Sequence, residues 1–142
     1  MNGKDIIDAV IRLLRSKGRN FASWTDDQII SFIDVFMKRG HASFVMDGNE
    51  CVGVGLIRYL PDADLHQNQL LHDPNGKIVW VESVTAKSQH VFRCLLVALK
   101  EAMRKDGSTA TMIGGNRISR NNRLFLYDLE PFLNRYGLST KD

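Results

Sequence analysis

Hydrophobic positions recur along this chain with two different periods, and the switches between them divide it into elements. Ile6, Ile7, Val10, Leu13 and Leu14 share one stripe at helical spacing, so the first segment predicts an amphipathic helix with Gly18 as its stop. The stretch from Lys17 to Asn20 is polar and reads as a connection. A second helix opens on a capping box, with Thr25 capping an orphan amide and Gln28 reaching back. Trp24 precedes the cap and is placed to staple onto Ile29. Ile29, Ile33, Phe36 and Met37 form the expected apolar face, and Gly40 ends the helix.

The period then shortens. ASFVMD and CVGVGLIRYL are β-rich runs flanking Asp47-Gly48, a strong hairpin signal. Gly53 and Gly55 in the second run point to a bulge or a close backbone approach. Residues 61–76 form a long polar loop, closed by the turn Asp73-Pro74-Asn75-Gly76. KIVWVESVTA, residues 77–86, is the clearest strand. Ile78, Trp80, Glu82 and Val84 share one face; Val79, Val81, Ser83 and Thr85 share the other. A long helix follows, with Val91, Phe92, Leu95, Leu96, Leu99, Ala102 and Met103 on one side and Asp106-Gly107 at its end. STATMIGGN predicts a short strand ending at Gly114-Gly115. Ser119 then caps a last helical region through Leu124, Leu126, Tyr127, Leu129, Phe132, Leu133 and Tyr136. Pro131 either kinks that helix or opens a new turn after Asp128, and Gly137 ends it.

This order predicts one α/β (α+β) domain over residues 1–142. Its sheet is mixed and mainly antiparallel, flanked by helices on both faces. The length of 142 residues, 44% apolar and 25% charged, suits one globular core. A net charge of +3 is compatible with an acidic ligand without the concentrated basic face of a dedicated nucleic-acid binder. Cys51 and Cys94 make no disulfide framework and no zinc spacing, so both read as free thiols. Asp5 and Asp8 interrupt the N-terminal apolar stretch, which therefore lacks the look of a signal peptide. No apolar run approaches membrane-spanning length, so the expected location is the cytoplasm or a particle assembled within the cell.

Several residues carry candidate chemistry. Glu82 on an apolar strand face is the form of a general base; its ordinary reading is a surface glutamate paired with a lysine. Lys87, Ser88, Gln89 and His90 open the long helix, where successive amides favour an anion; the ordinary reading is capping by Ser88. Arg117, Arg120 and Arg123, with Asn116, Asn121 and Asn122 between, would form a basic stripe on a helix. His66 and His72, near Asp62, Asp64 and Asp73, offer metal-ligand types without fixed convergence. Cys94 has no base fixed near it by the sequence.

Three stretches, VWVESVTA, VFRCLLVALKEAM and TATMIGGN followed by SRNNRLFLYDLEPFLNRYGL, resemble the fourth strand, main helix, and next strand and helix of the GNAT N-acetyltransferases. The resemblance is one of order and size over residues 4–138. It implies acetyl-CoA as cofactor, an amine acceptor, and Glu82 as general base. It implies cofactor contacts from Val84, Lys87, Ser88, Gln89, His90 and Asn122. The family's tyrosine acid falls on Leu133, with Tyr127 and Tyr136 off register; Tyr127 is the candidate that remains. The chain also departs from the family. The family loop carries Arg or Gln, two residues, Gly, one residue, Gly or Ala, whereas aligning on Leu95 puts His90 and Phe92 at the glycine positions and aligning on Gln89 puts Phe92 and Cys94 there. A clear first strand and the closing strands are not evident. Glycine-poor loops of this kind resemble those of small phage proteins with degenerate acetyltransferase-like folds, internal virion proteins among them. Three readings follow: an acetyl-CoA-dependent N-acetyltransferase; a non-catalytic virion or host-interaction protein that pairs with itself or a partner through an open sheet edge; and, ranked last, a nucleic-acid-binding module using the arginine stripe.

Overall fold

The computed structural model describes residues 2–17, 21–68, 71–117 and 123–141, with the side chains of Lys17 and Arg117 outside that description. Its elements are α1 (Gly3–Lys17), α2 (Asp26–Arg39), β1 (Ala42–Asp47), β2 (Glu50–Leu60), a 3-10 turn (Ala63–Gln67), β3 (Ile78–Ala86), α3 (Gln89–Asp106), β4 (Met112–Arg117), β5 (Arg123–Asp128) and α4 (Leu129–Asn134). The strands lie in the order β1-β2-β3-β4-β5, with β3 and β4 parallel and the β1–β2 and β4–β5 pairs antiparallel. This is the mixed, mainly antiparallel α/β arrangement that the hydrophobic pattern predicts. The chain divides into two compact units: Met1–Leu56 with Ser83–Ala98, and Ile57–Glu82 with Leu99–Asp142.

In the first unit, α1 and α2 bury the apolar stripes read from the sequence. Val10, Leu13, Leu14, Ile29, Ile33 and Phe36 join Val54 and Leu56 of β2 in one core. The capping box is complete: Thr25 Oγ1 accepts from the Gln28 amide at 3.1 Å, and the Thr25 amide donates to Gln28 Oε1 at 2.8 Å. Gly40 ends α2 in the left-handed region, φ 75°. Two side chains differ from expectation. Met37 is 44% exposed, because the buried face narrows to Ile29, Ile33 and Phe36. Trp24 meets the ring edges of Phe21 and Phe32, with centroids 5.2 and 5.3 Å away. The β1–β2 register slips where Val45 faces Gly53 but Met46 faces Cys51, leaving Val52 as the extra residue of a bulge. The freed Val52 carbonyl accepts from the Lys87 amide at 3.0 Å and so ties down the approach to α3. Gly53 is required beside it, since a Cβ there would lie 2.4 Å from Val91 Cγ1.

In the second unit, β3 and β4 pair from Ile78↔Met112 to Val81↔Gly115, and β4 pairs with β5 from Met112↔Asp128 to Arg117↔Arg123. Here the sequence reading is corrected. Residues 123–128 are a strand and not the first half of a helix, so Arg117 and Arg123 are cross-strand backbone partners in β4 and β5 instead of members of one helix. Gly114-Gly115 is the middle of β4 and not its end. A Cβ on Gly114 would meet the Trp80 ring at 2.9 Å, and one on Gly115 would meet the Phe125 ring at 2.8 Å. The helical reading lost because RLFLYD alternates: Phe125 and Tyr127 point to one face, Leu124 and Leu126 to the other. Pro131 sits in the first turn of a new short helix after Asp128, where its missing N–H does no harm. Ser119, Arg120, Asn121 and Asn122 lie outside the described residues.

Candidate functional site

Within the first unit, β3 ends at Ala86 and α3 begins at Gln89, so two residues make the strand-to-helix turn. Ser88 Oγ accepts from the Val91 amide at 3.1 Å, the capping role that was its ordinary reading. The Gln89 and His90 amides fall in the first turn, where no intrahelical acceptor exists, and no acceptor for them is present among the described residues. Lys87 is committed twice, its amide to Val52 and its ammonium to Glu50. The Lys87 ammonium holds the Glu50 carboxyl below its usual range. Lys87 also lines an open cavity of about 520 Å³ with Arg12, Asp47, Glu50 and Cys51. Two cations and two carboxylates cancel there, so it is no anion trap. Burial pushes the Cys51 thiol up. Val84 is exposed on β3. Cys94 has a neighbour that the sequence did not reveal: His90 Nε2 lies 3.9 Å from its Sγ, one helical turn back.

Within the second unit, Glu82 is held by a residue that sequence reasoning missed. Arg58 is fully buried on β2, and its Nε donates to Glu82 Oε2 at 2.9 Å. Its remaining donors run to the carbonyls of Asn68 at 2.6 Å, Leu71 at 2.8 Å and His66. Four of its five N–H groups are thereby used. The ordinary reading of Glu82, a surface pair with lysine, is replaced by a partly buried pair with a fully buried arginine. The signal was present: Arg58 shares its strand face with Val54 and Leu56, where a charge needs a partner.

Arg58 thereby also ties down the backbone at His66, Asn68 and Leu71. Ala63 and Leu71 pack against Leu60, Ile78 and Trp80. The His66 ring stacks on Trp80 at 5.1 Å, and His72 Nδ1 accepts from the Tyr59 amide at 3.2 Å. Asp62 Oδ1 accepts from the Asp64 amide, and Asp73 Oδ1 from the Asn75 amide. The histidines are thus spent on β2 and β3, and the two aspartates on local backbone turns. Among the described residues no group of three or more His, Cys, Asp or Glu converges as for a metal.

The two candidate catalytic side chains are not brought together. Glu82 follows Trp80 on the face that carries Gly114 and Leu126. Tyr127 lies opposite Ile113, on the other face with Phe125. There it stacks between Phe125 and Phe132, with the Arg135 guanidinium 5.7 Å over its ring. Asn122 lies outside the described residues.

In sequence, the chain matches no family model and no curated protein. In structure, it is similar to the GphF GNAT-like decarboxylase solved in complex with isobutyryl-CoA. The TM-score is 0.58 at 14% identity, over 100% of this chain and 72% of that one. It is also similar to a TTHA1254 mutant from Thermus thermophilus, with a TM-score of 0.56 at 16% identity, over 96% of this chain and 80% of that one. Likeness at these identities shows a GNAT-like fold. Among the described residues no helix is long and apolar enough to cross a membrane.

Proposed function

We propose that this chain is an acyl-CoA-binding protein of GNAT-like fold that acts as an N-acetyltransferase. The observation that carries the reading is the start of α3, where the Gln89 and His90 amides lack acceptors directly after β3, in a fold that a CoA-ester-binding protein shares. Ser88, Gln89 and His90 would hold the pyrophosphate by their amides. The absence of glycine is compatible with this, because amides and not side chains make such a cradle. Bound acetyl-CoA supplies an activated acyl thioester. The amine nitrogen would bond the acyl carbon as the C–S bond breaks and CoA leaves as its thiolate, and Glu82 would take the proton that the amine loses, through the carboxylate oxygen that Arg58 leaves unused. The placement of Tyr127 on the opposite face supports a reaction without it.

A second reading is a non-catalytic protein of the same fold, in a virion or bound to a host factor. It is favoured by His90 and Phe92 in place of glycines and by the commitment of the Lys87 ammonium to Glu50.

Isothermal titration with acetyl-CoA separates the two. The first reading expects saturable micromolar binding, lost when Gln89→Pro removes one of the orphan amides. No heat at high ligand concentration would leave the non-catalytic reading.

A further inference from the structure

The face around Glu82 carries information about the acceptor. The Arg58–Glu82 pair sums to zero charge, and its cation cannot move aside, because three backbone carbonyls and complete burial hold it. An ammonium approaching Glu82 would meet a carboxylate already neutralised and a fixed guanidinium repelling it. Glu82 Oε1, by contrast, has no hydrogen bond among the described residues and can accept one from a neutral N–H. The row next to it on this face is apolar, Trp80, Gly114 and Leu126, while the exposed Asn116 stands beside Leu124. Trp80 is buried under the His66 ring, and Gly114 leaves room for the indole. Beyond Gly114, Leu126 and Leu124 on β5 are 42% and 47% exposed. Two leucines two residues apart on one strand point the same way.

From this juxtaposition we infer that the acceptor is an uncharged aromatic amine, its ring on Leu124 and Leu126 and its N–H groups at Glu82. The inference rests on the transferase reading above and narrows its substrate class. Alkylamines and polyamines, which are protonated at neutral pH, are disfavoured by the neutralised carboxylate.

Aniline and cyclohexylamine form a matched pair for the test, similar in size but neutral and protonated respectively at neutral pH. Each is titrated into methyl-labelled protein while the leucine methyl resonances are followed by NMR. Aniline is expected to shift the Leu124 and Leu126 methyls saturably and cyclohexylamine to leave them in place. Leu126→Glu, a change at an exposed position, should abolish the aniline shifts. With acetyl-CoA present, aniline is expected to release free CoA thiol at least tenfold faster than cyclohexylamine. Equal or stronger response to cyclohexylamine, or no methyl shift with either amine, overturns the inference. Failure of acetyl-CoA to bind would instead remove the transferase reading, and because the methyl titration needs no acetyl-CoA the two failures are told apart.

Discussion

At the residue scale, the buried guanidinium of Arg58 decides most of what Glu82 can do. Removing one member of a buried ion pair leaves the other uncompensated, a loss of about 3–5 kcal/mol. Glu82→Gln is therefore expected to destabilise the protein by about that amount in urea denaturation, besides abolishing turnover. Adding Arg58→Met is expected to deepen the loss and not to restore it, since the Asn68, Leu71 and His66 carbonyls would then lose their donor. A second buried group gives a pH signature. Tyr59 is 1% exposed, and its hydroxyl donates to Asp106 Oδ2 at 2.5 Å. Burial first, and the Asp106 carboxylate second, push its ionisation well above the ordinary 10.0. The folded state thus holds this proton more tightly than the unfolded chain. Stability from this group is complete below the ordinary tyrosine value and is lost as pH rises through and beyond it. Denaturation midpoints should fall steeply above that pH in the wild type, and less so in Tyr59→Phe. An equal alkaline fall in both would assign it to other groups. Glu82 was legible as a lone carboxylate on an apolar face. Its partner was not, because Arg58 lies 24 residues earlier and only the β2–β3 arrangement joins them.

At the element scale, local signals with their own chemistry read correctly and ambiguous apolar runs did not. The Thr25–Gln28 box, the Asp47-Gly48 turn and the Gly107 stop each specify a backbone conformation within a few residues. RLFLYD carries no such mark: six residues rich in leucine and aromatics satisfy either period, and the pairing with β4 made the choice. Gly114 and Gly115, which look like a strand's end, instead make room for Trp80 and Phe125. Close approach is most demanding at Gly53, where the bulge of β2 brings Val91 of α3 against bare backbone. Gly53→Ala is expected to cost about 1–3 kcal/mol by overpacking, with Val91→Ala in the same chain recovering part of it. Simple additivity of the two changes in denaturation would show that Val91 is not what Gly53 accommodates.

At the scale of the whole molecule, the order of elements was legible because helix and strand periods alternate along the chain. The candidate site was legible only in part. Lys87, Ser88, Gln89 and His90 were identified from their place before a long helix, and the structure gives Ser88 to capping and the Lys87 ammonium to Glu50. What remains for a ligand is backbone, the Ser88, Gln89 and His90 amides, and backbone leaves no residue-type signature in a sequence. The central claim is that these amides bind the pyrophosphate of an acyl-CoA. It is tested most directly by amide-resolved NMR during titration with acetyl-CoA. The account predicts that the Ser88, Gln89 and His90 resonances move first and furthest, saturating together. Saturable binding that leaves these three in place, or no shift anywhere at high ligand concentration, would contradict it.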